Sequence, residues 1–375
     1  MSLSNFIEPG KTIGIIGGGQ LGRMLAFSAK KMGYIVGVFD PEEHCSAAQV
    51  ADWQMKAAFD DEEALMAFAM KSDVVTYATE KIDAEWIDRL KQTVPVPQGS
   101  ELLAITQDRI LEKAHLELHN LNVAPYVSII SLEDLKESVS SIGYPCVLKA
   151  LYGRANQKEK IVLQDEQDIQ KCAGLLKTGT CVLESWIPIE RELSVMTVRN
   201  ENGETGIFPV SENIYRGHQL HMSITPARID EEVKAEVERI GHIIAEQTEG
   251  AGVIGVEIFM TSSGTLYVNE IHSFPHESGY DTIEACSFSE FDVHIRAICG
   301  WPLPTLKESA KSVMVNVLSE HMEAVKTQIR IKPDWHFHFY GKKEAKKNEV
   351  VGHITILTGQ RKKTIDAIYD TDIWK

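Results

Sequence analysis

Two glutamates in the second half of the chain have the type and spacing to hold a metal ion. Glu257 interrupts the apolar segment GVIGVEIFM, and Glu270 lies in a second one, GTLYVNEI. If the turn TSSG between them closes a hairpin with Met260 opposite Thr265, Glu257 faces position 268 and lies diagonal to Glu270. Diagonal neighbours on one face are about 7–8 Å apart, which suits a hard cation carrying phosphate oxygens. A buried carboxylate without a partner is costly, so chance is the poorer explanation.

Three charged residues upstream could bind a nucleotide. Lys149 ends the apolar segment CVLK, and a lysine that opens from a buried strand into a loop is a usual ligand of nucleotide phosphates. Glu184 ends TCVLE and Glu192 follows eight residues later, so they could accept hydrogen bonds from an adenine amino group and from ribose hydroxyls. Alternatively, Lys149 is a snorkelling surface lysine and the glutamates are charges at the rim of a cleft.

A glycine-rich turn stands near the start of the chain. Gly17, Gly19 and Gly22 satisfy G-x-G-x-x-G, and Asp40 ends the next predicted strand. The motif fits a dinucleotide site with Asp40 on the ribose, a site for another anion at a helix N-terminus, or simply a tight turn. Alone, it does not distinguish them.

Two histidines near the C-terminus could suggest a second metal site. His336 and His338 point to one face of a predicted strand, but an H-x-H pair without a third ligand is more often packing. The lysine-rich segment 342–347 is predicted to be a solvated loop or a cover for an anionic ligand.

Hydrophobic periodicity predicts the elements that must position these residues. Short apolar segments alternate with helical patterns, which indicates a β-α-β unit over 12–40 and a helix over 106–119. A smaller α/β unit follows, and the chain is strand-rich from Arg191 onward apart from an amphipathic helix over 231–247. The class is α/β, and 375 residues are too many for one ordinary core.

Composition narrows the classes of function. The formal net charge of −16 disfavours a nucleic-acid partner. Six cysteines without a C-x-x-C pair indicate reduced thiols rather than disulfides or zinc. No signal peptide or membrane-spanning segment is predicted, so we expect a cytoplasmic protein without a membrane partner.

Several segments together resemble a known family. TIGIIGGGQLGRM, TQDRILEKAHL, GYPCVLK, ERELSV, ITPARI, VNEI, TIEAC and GHITIL occur in order from about residue 10 to residue 358. They resemble the N5-carboxyaminoimidazole ribonucleotide synthetases of the ATP-grasp superfamily. The resemblance implies an ATP-grasp fold with a Rossmann-like (pre-ATP-grasp) N-terminal domain over 1–105 and a small α/β lid domain over 106–185. The central and C-terminal part, with a mixed sheet domain, takes 186–375. It also implies a homodimer, and an N-terminal domain that binds no dinucleotide.

The resemblance implies a reaction and residues for it. In this family Mg-ATP phosphorylates bicarbonate to carboxyphosphate, and the amine of 5-aminoimidazole ribonucleotide is carboxylated in purine biosynthesis. The implied ATP-binding residues are Arg109, Lys149, Glu184, Ser185, Trp186, Ile187, Glu192, Asn269 and Glu270. The implied magnesium ligands are Glu257 and Glu270, and the implied catalytic residues are Lys149, Lys158, Glu80 and His276. The implied ribonucleotide-binding residues are Gly19, Gln20, Glu80, Ser278 and Lys342.

The sequence also departs from the family. The family's loop GGYDGKGQ is GRANQKEK at residues 153–160, and the histidine after ENI is Tyr215. The family's APRPHNSGH is HSFPHESGY at 272–280, which puts Phe274 and Glu277 in place of an arginine and an asparagine. Glu349 replaces a further basic residue, and neither Phe274 nor Glu349 can bind a phosphate. We therefore expect ATP binding to persist, with an active synthetase whose ribonucleotide site is tolerant as the first hypothesis and a weakened, altered or lost carboxylation as its alternative.

Alternatives to an active synthetase stay open at this point. One is an ATP-grasp ligase that joins another carboxylate to an amine, with Phe274 and Glu277 shaping a less anionic pocket. A second is a non-catalytic nucleotide-binding homologue, and the third is an NAD oxidoreductase.

Overall fold

A computed structural model describes residues 6–152, 160–217, 219–342 and 344–374. Its first sheet is parallel, with the strand order β3-β2-β1-β4. The first part of the chain contains β1 (Thr12–Ile16), α1 (Gln20–Lys31), β2 (Ile35–Phe39), β3 (Trp53–Met55), α2 (Glu62–Met70), β4 (Val74–Tyr77), α3 (Ala84–Leu90), α4 (Glu101–Gln107) and α5 (Arg109–Leu118). Helices and neighbouring elements cover both faces of this sheet, which explains why its strands are apolar without alternation.

The single helix predicted over 106–119 is wrong in one respect, because the helix is interrupted at Asp108. The Asp108 carboxylate accepts hydrogen bonds from the backbone N–H groups of Ile110 and Leu111 at 2.8 and 3.0 Å. A side chain that caps the next helix this way ends the previous one. Arg109 therefore stands at the start of α5.

The glycine-rich turn between β1 and α1 is packed by its own domain. The Asp40 carboxylate accepts a hydrogen bond from the Gly18 N–H at 2.7 Å, and the Gly18 carbonyl accepts one from Ala47 N–H at 2.8 Å. A Cβ atom at Gly18 would lie 2.1 Å from the Cys45 sulfur. These contacts speak against the dinucleotide explanation, because Asp40 holds the turn rather than facing a ribose.

Gly22→Ala is expected to destabilise this turn by about 2–3 kcal/mol. A Cβ at Gly22 would lie 2.0 Å from the Gly17 carbonyl oxygen, a backbone atom that cannot rotate away. Gly19→Ala is the matched control, since no atom lies within 4 Å of its Cβ position and its φ is −68°. The control should cost less than about 1 kcal/mol. Urea unfolding midpoints measure both, and equal shifts would contradict the expectation.

A small antiparallel sheet follows, with the order β5-β8-β6-β7. Its elements are β5 (Tyr126–Ile129), α6 (Leu132–Ile142), β6 (Cys146–Ala150), β7 (Lys160–Leu163), a 3₁₀ helix (Glu166–Cys172), α7 (Ala173–Leu176) and β8 (Cys181–Ser185). Its helices pack on one face of the sheet, where Leu135, Leu148 and Leu183 are buried. The opposite face is left to line a cavity.

The large sheet is antiparallel and runs in the order β14-β13-β9-β11-β12-β15-β17-β16, with β10 paired to β9. Its first elements are β9 (Ile189–Arg199), β10 (Thr205–Ile207), β11 (Ser211–Arg216), β12 (Gln219–Thr225), α8 (Glu231–Gln247), β13 (Gly252–Thr261), β14 (Leu266–His272), a 3₁₀ helix (Glu277–Gly279), α9 (Thr282–Ala285) and α10 (Glu290–Ile298). The last elements are β15 (Ser312–Leu318), a 3₁₀ helix (Ser319–His321), α11 (Met322–Ile331), β16 (Trp335–Phe339), β17 (Val350–Leu357) and α12 (Arg361–Tyr369). The C-terminal strands thus extend the sheet that carries Glu257 and Glu270.

None of the described helices is long and apolar enough to cross a membrane. All six cysteines are buried free thiols.

A buried histidine joins the first sheet to the large one. His294 on α10 accepts a hydrogen bond from the Val253 N–H through Nδ1 at 3.1 Å, and its Nε2 lies 2.8 Å from the Thr76 hydroxyl. Thr76 donates in turn to Gln98, whose amide donates to the Ser273 carbonyl at 2.6 Å. Burial lowers the pKa of His294 to about 3, so the ring is neutral.

His294→Gln is expected to make stability less sensitive to acid. The unfolded histidine takes up a proton below about pH 6.5, whereas the folded one stays neutral down to about pH 3. Acid therefore favours unfolding, and His294 should account for about 2 kcal/mol of the loss at pH 5. A glutamine offers the same acceptor and donor without titrating. Melting temperatures between pH 7.5 and pH 5 measure the slope, which should be shallower in the variant; parallel curves would contradict this.

Candidate active site

A cavity of about 520 Å³ lies between the small sheet and the large sheet. One wall is apolar and contains Val147, Val162, Ile187 and Phe259. The opposite end is rich in charged side chains. Such a division suits a ligand with a flat apolar part and a charged part.

The cavity brings together most of the residues predicted for the site. The lining includes Glu80, Arg109, Lys149, Glu184, Ser185, Trp186, Ile187, Glu192, Glu257, Asn269, Glu270 and His276. Four predicted residues are outside this lining: Gly19, Gln20, Ser278 and Lys342. Lys158, with the rest of 153–159, lies outside the described residues.

The two candidate metal ligands are closer than the sequence predicts, and the predicted hairpin register is wrong. Met260 lies opposite Leu266 rather than Thr265, and the register shifts by one more residue between Glu257 and Ile258, so Glu257 pairs directly with Glu270. Asn269 is the extra residue of this β-bulge, and its amide donates to Glu257 at 3.4 Å. A bulge re-aims neighbouring side chains, so both carboxylates and the asparagine face the cavity.

Each of these carboxylates also has a protein donor. Arg109 donates to Glu270 through Nη1 at 2.7 Å and to the Ala150 carbonyl through Nε at 3.2 Å. The Tyr215 hydroxyl donates to Glu257 at 2.6 Å. Burial and the nearby Glu257 charge raise the pKa of the Tyr215 hydroxyl well above its usual value, so it stays a donor. These contacts fix the carboxylates while leaving them further lone pairs.

A buried charge cluster lies at the other end of the cavity. Glu184 Oε2 is 3.0 Å from the Lys149 ammonium and 3.4 Å from that of Lys113. Burial alone would raise the pKa of Glu184, but the two lysines outweigh it and lower the pKa. Glu184 is 4% exposed and its Oε1 has no hydrogen-bond partner among the described residues, which excludes a rim charge.

Lys160 and Glu192 add charges at the middle of the cavity. Lys160 is the cross-strand partner of Lys149, and burial lowers its pKa, as does the Lys149 charge. Burial and the charge of Glu257 raise the pKa of Glu192 to about 7. In the sequence, Lys160 stands at the end of segment 153–160, which departs from the family's loop, and it was not predicted as a site residue. The alternation of side chains along β6 and β7 is the signal that could have placed it beside Lys149.

Two stacked histidines lie beside the carboxylates. The rings of His272 and His276 are 4.1 Å apart, and His272 Nδ1 is 3.3 Å from Glu80. Burial would lower the pKa of His272, but Glu80 and the charges of Glu257 and Glu270 hold it above its usual value. Burial and the neighbouring His272 lower the pKa of His276 well below its usual value. His272 was missed as a site residue, although it follows Glu270 by two positions.

The residues that depart from the family pattern are placed differently from expectation. Phe274 does not shape the cavity; it is 5% exposed and packs on Tyr77 in the core beneath the first sheet. Glu277 does line the cavity and accepts a hydrogen bond from the Gln20 amide at 3.2 Å. Glu349 pairs with Lys342 at 2.7 Å, so it neutralises a predicted ribonucleotide ligand.

The two histidines of the second pair differ in environment, because His338 is packed whereas His336 is exposed. His338 pairs with Glu284 at 2.7 Å and stacks on His353 with ring centroids 4.5 Å apart. Neither histidine lines the cavity.

Comparison with known proteins identifies relatives over nearly the whole chain. Residues 10–107 match the ribonucleotide synthetase preATP-grasp domain, 114–291 the ATP-grasp domain, and 312–367 the phosphoribosylaminoimidazole carboxylase C-terminal domain. N5-carboxyaminoimidazole ribonucleotide synthase of Bacillus subtilis (strain 168) is 40% identical over 98% of this chain and 96% of its own. The corresponding protein of Staphylococcus aureus (strain MRSA252) is 39% identical over 97% of each chain.

Solved structures give the same result. An N5-carboxyaminoimidazole ribonucleotide synthetase in its ADP complex superposes with a TM-score of 0.96, at 42% identity over 99% of both chains. An Aspergillus clavatus N5-carboxyaminoimidazole synthase in complex with ADP and 5-aminoimidazole ribonucleotide superposes with a TM-score of 0.91, at 26% identity over 97% of this chain and 98% of the other.

Proposed function

The chain belongs to the N5-carboxyaminoimidazole ribonucleotide synthase family of ATP-grasp ligases, and on that basis we propose that it catalyses the family's reaction. That reaction is the ATP- and bicarbonate-dependent carboxylation of 5-aminoimidazole ribonucleotide to N5-carboxyaminoimidazole ribonucleotide in de novo purine biosynthesis. One observation carries the proposal: the paired carboxylates Glu257 and Glu270 share a cavity with Arg109 and Lys149.

ATP would bind with its base between the two sheets. The apolar wall suits the adenine ring, and the unpartnered buried Oε1 of Glu184 suits the adenine amino group. We assign the ribose hydroxyls to Glu192 and the phosphates to Lys149 and Arg109, whose guanidinium is held by Glu270. Ser185, Trp186 and Ile187 complete the wall beside the base.

The donor set at the other end suits magnesium. Glu257, Glu270 and Asn269 offer oxygen atoms on one face of a rigid hairpin, which is the ligand chemistry of a hard cation. When bound, the ion would neutralise charge on the transferring phosphoryl group. Arg109 and Tyr215 keep the two carboxylates oriented by donating to them.

The acceptor amine would lie near Glu80 and His276. Bicarbonate oxygen attacks the γ-phosphorus to give carboxyphosphate and ADP. The amine nitrogen then bonds to the carboxyl carbon, phosphate leaves, and the nitrogen loses one proton. We assign this proton to His276, whose ring is kept neutral by burial. Glu80 positions the neighbouring ring of His272. Lys158 belongs to the same proposal and lies outside the described residues.

The ribonucleotide would extend from the cavity toward the first sheet. We assign its remaining contacts to Gly19, Gln20, Ser278 and Lys342, of which Gln20 already contacts Glu277 at the cavity wall.

We also propose the domain boundaries 1–105, 106–185 and 186–375, a homodimer, and a cytoplasmic location.

ADP release is the test. Purified protein with Mg-ATP and bicarbonate should form ADP only slowly, and 5-aminoimidazole ribonucleotide should raise turnover into the usual range of about 1–1000 per second. Omitting bicarbonate should abolish the increase, and the carboxylated product should appear in step with ADP. ADP binding without any increase would reject the proposed acceptor while leaving the nucleotide site intact.

A further inference from the structure

Three side chains that commonly bind metal ions converge at the proposed magnesium site. They are Glu257, itself a proposed magnesium ligand, and two histidines, which are nitrogen ligands that magnesium does not prefer. One donor atom each from Glu257, His272 and His276 lies within 4.8 Å of the others, and of the described residues only these three meet that condition. All three side chains line the cavity, so an ion can reach them.

His272 is prepared to act as a ligand. Its Nδ1 faces the Glu80 carboxylate at 3.3 Å, which favours the tautomer with the hydrogen on Nδ1 and the lone pair on Nε2. That Nε2 is buried and has no hydrogen-bond partner among the described residues, in a residue that is 9% exposed. A buried ring nitrogen without a partner is unfavourable, and a cation that displaces the Nε2 proton favoured by the neighbouring carboxylates would satisfy it.

The other two groups already approach each other. His276 Nε2 is 3.7 Å from a Glu257 oxygen, while its Nδ1 lies 2.9 Å from the Ser278 hydroxyl, which fixes the ring. Tetrahedral zinc bonds of about 2.0–2.1 Å set ligand atoms roughly 3.4 Å apart. His276 and Glu257 would need only a small contraction, but one imidazole must also turn out of the stack, because a metal lies in the plane of each ring that binds it and the two rings are nearly parallel.

We propose that Glu257, His272 and His276 form a binding site for Zn²⁺ or a similar borderline divalent cation. Two imidazoles and one carboxylate favour such ions over magnesium, which prefers oxygen ligands. Since Glu257 belongs to both ligand sets, the zinc-type ion withdraws it from the proposed magnesium site. His272 stands where the family pattern has alanine, so the site is a property of this chain.

Direct Zn²⁺ binding to the nucleotide-free protein tests the proposal. Competition with a chromophoric chelator should reveal one strong site in the wild type. His272→Ala should weaken it by at least about 100-fold, because loss of even an outer partner of a ligand costs about 10–100-fold. An unchanged affinity in His272→Ala would overturn the proposal. Retained ADP binding shows that the variant is folded.

Two variants serve as controls. His338→Ala removes another histidine that pairs with a glutamate and stacks on a second ring, and it should leave Zn²⁺ affinity unchanged. His119→Ala disrupts the ring pair of His115 on α5 and His119 just after it, whose centroids are 4.8 Å apart, and it should also have no effect. Loss of the strong site in either control would place the ion elsewhere and overturn the assignment.

The consequence for turnover is a separate measurement. Zn²⁺ should inhibit ADP formation in the wild type and should inhibit His272→Ala at least about tenfold less. The binding experiment uses neither ATP nor ribonucleotide, so its result does not depend on the proposed function.

Discussion

Glu270→Gln is expected to reduce kcat/KM for the ribonucleotide-dependent release of ADP by about 10²–10³-fold. The substitution keeps the shape of the side chain but removes the charge that faces Glu257 directly across the hairpin and pairs with Arg109 at 2.7 Å. Both the cation and the arginine that would neutralise the transferring phosphoryl group lose their shared partner. Steady-state ADP release measures the effect.

Glu232→Ala is the control for this prediction. Glu232 is an exposed glutamate on α8, and its removal should leave kcat/KM unchanged. If Glu270→Gln retained more than a tenth of wild-type kcat/KM, Glu270 would not be a ligand of the magnesium ion that acts on the reacting phosphates.

Lys149→Met should lower turnover by about 10²–10³-fold relative to the wild type. Lys113→Met, by contrast, should mainly lower the free energy of unfolding. Both ammonium groups contact Glu184, at 3.0 and 3.4 Å. Only Lys149 lines the cavity, while Lys113 is 3% exposed and lies behind it. Losing one partner of a buried ion pair costs about 3–5 kcal/mol.

The two lysine variants control each other because each removes one charge from the same carboxylate. ADP release and urea unfolding should be measured on both proteins. Equal loss of activity in the two variants would mean that the charge balance at Glu184, rather than a phosphate contact from Lys149, supports turnover.

The class and order of the helices and strands were predicted well, because apolar segments and helical periodicity are local features of the sequence that do not depend on tertiary contacts. It failed where a single side chain redirects the backbone. Asp108 splits one predicted helix into two by capping the second. The hairpin register at Glu257 differs from the prediction by two residues: one arises at the TSSG turn, where Met260 pairs with Leu266, and one at the bulge at Asn269, for which the turn sequence carries no signal.

The residues of the candidate site were predicted mainly from motifs of the family. For the residues that differ from the family pattern, the predicted surroundings were wrong. Phe274 replaces an arginine of the family pattern, yet it faces the core of the first sheet rather than the cavity. Glu349 was expected to repel a phosphate, but its partner is Lys342. Lys160 enters the site from the small sheet, and a pattern along the strands of the large sheet cannot report what the opposite sheet contributes. Tyr215 and His272 enter it from β11 and β14 of the large sheet, beside Glu257 and Glu270.

Phe274 has a consequence for how the chain could be divided. It lies just beyond β14 and fills the core of the first sheet against Tyr77, while the neighbouring Ser273 carbonyl accepts a hydrogen bond from Gln98. A gene fragment ending near residue 105 would encode a domain whose interior lacks a piece supplied about 170 residues later. Such a fragment should be degraded when expressed alone and rescued by coexpression with the remainder. The first domain and the strand bearing Glu270 should therefore fold as one unit.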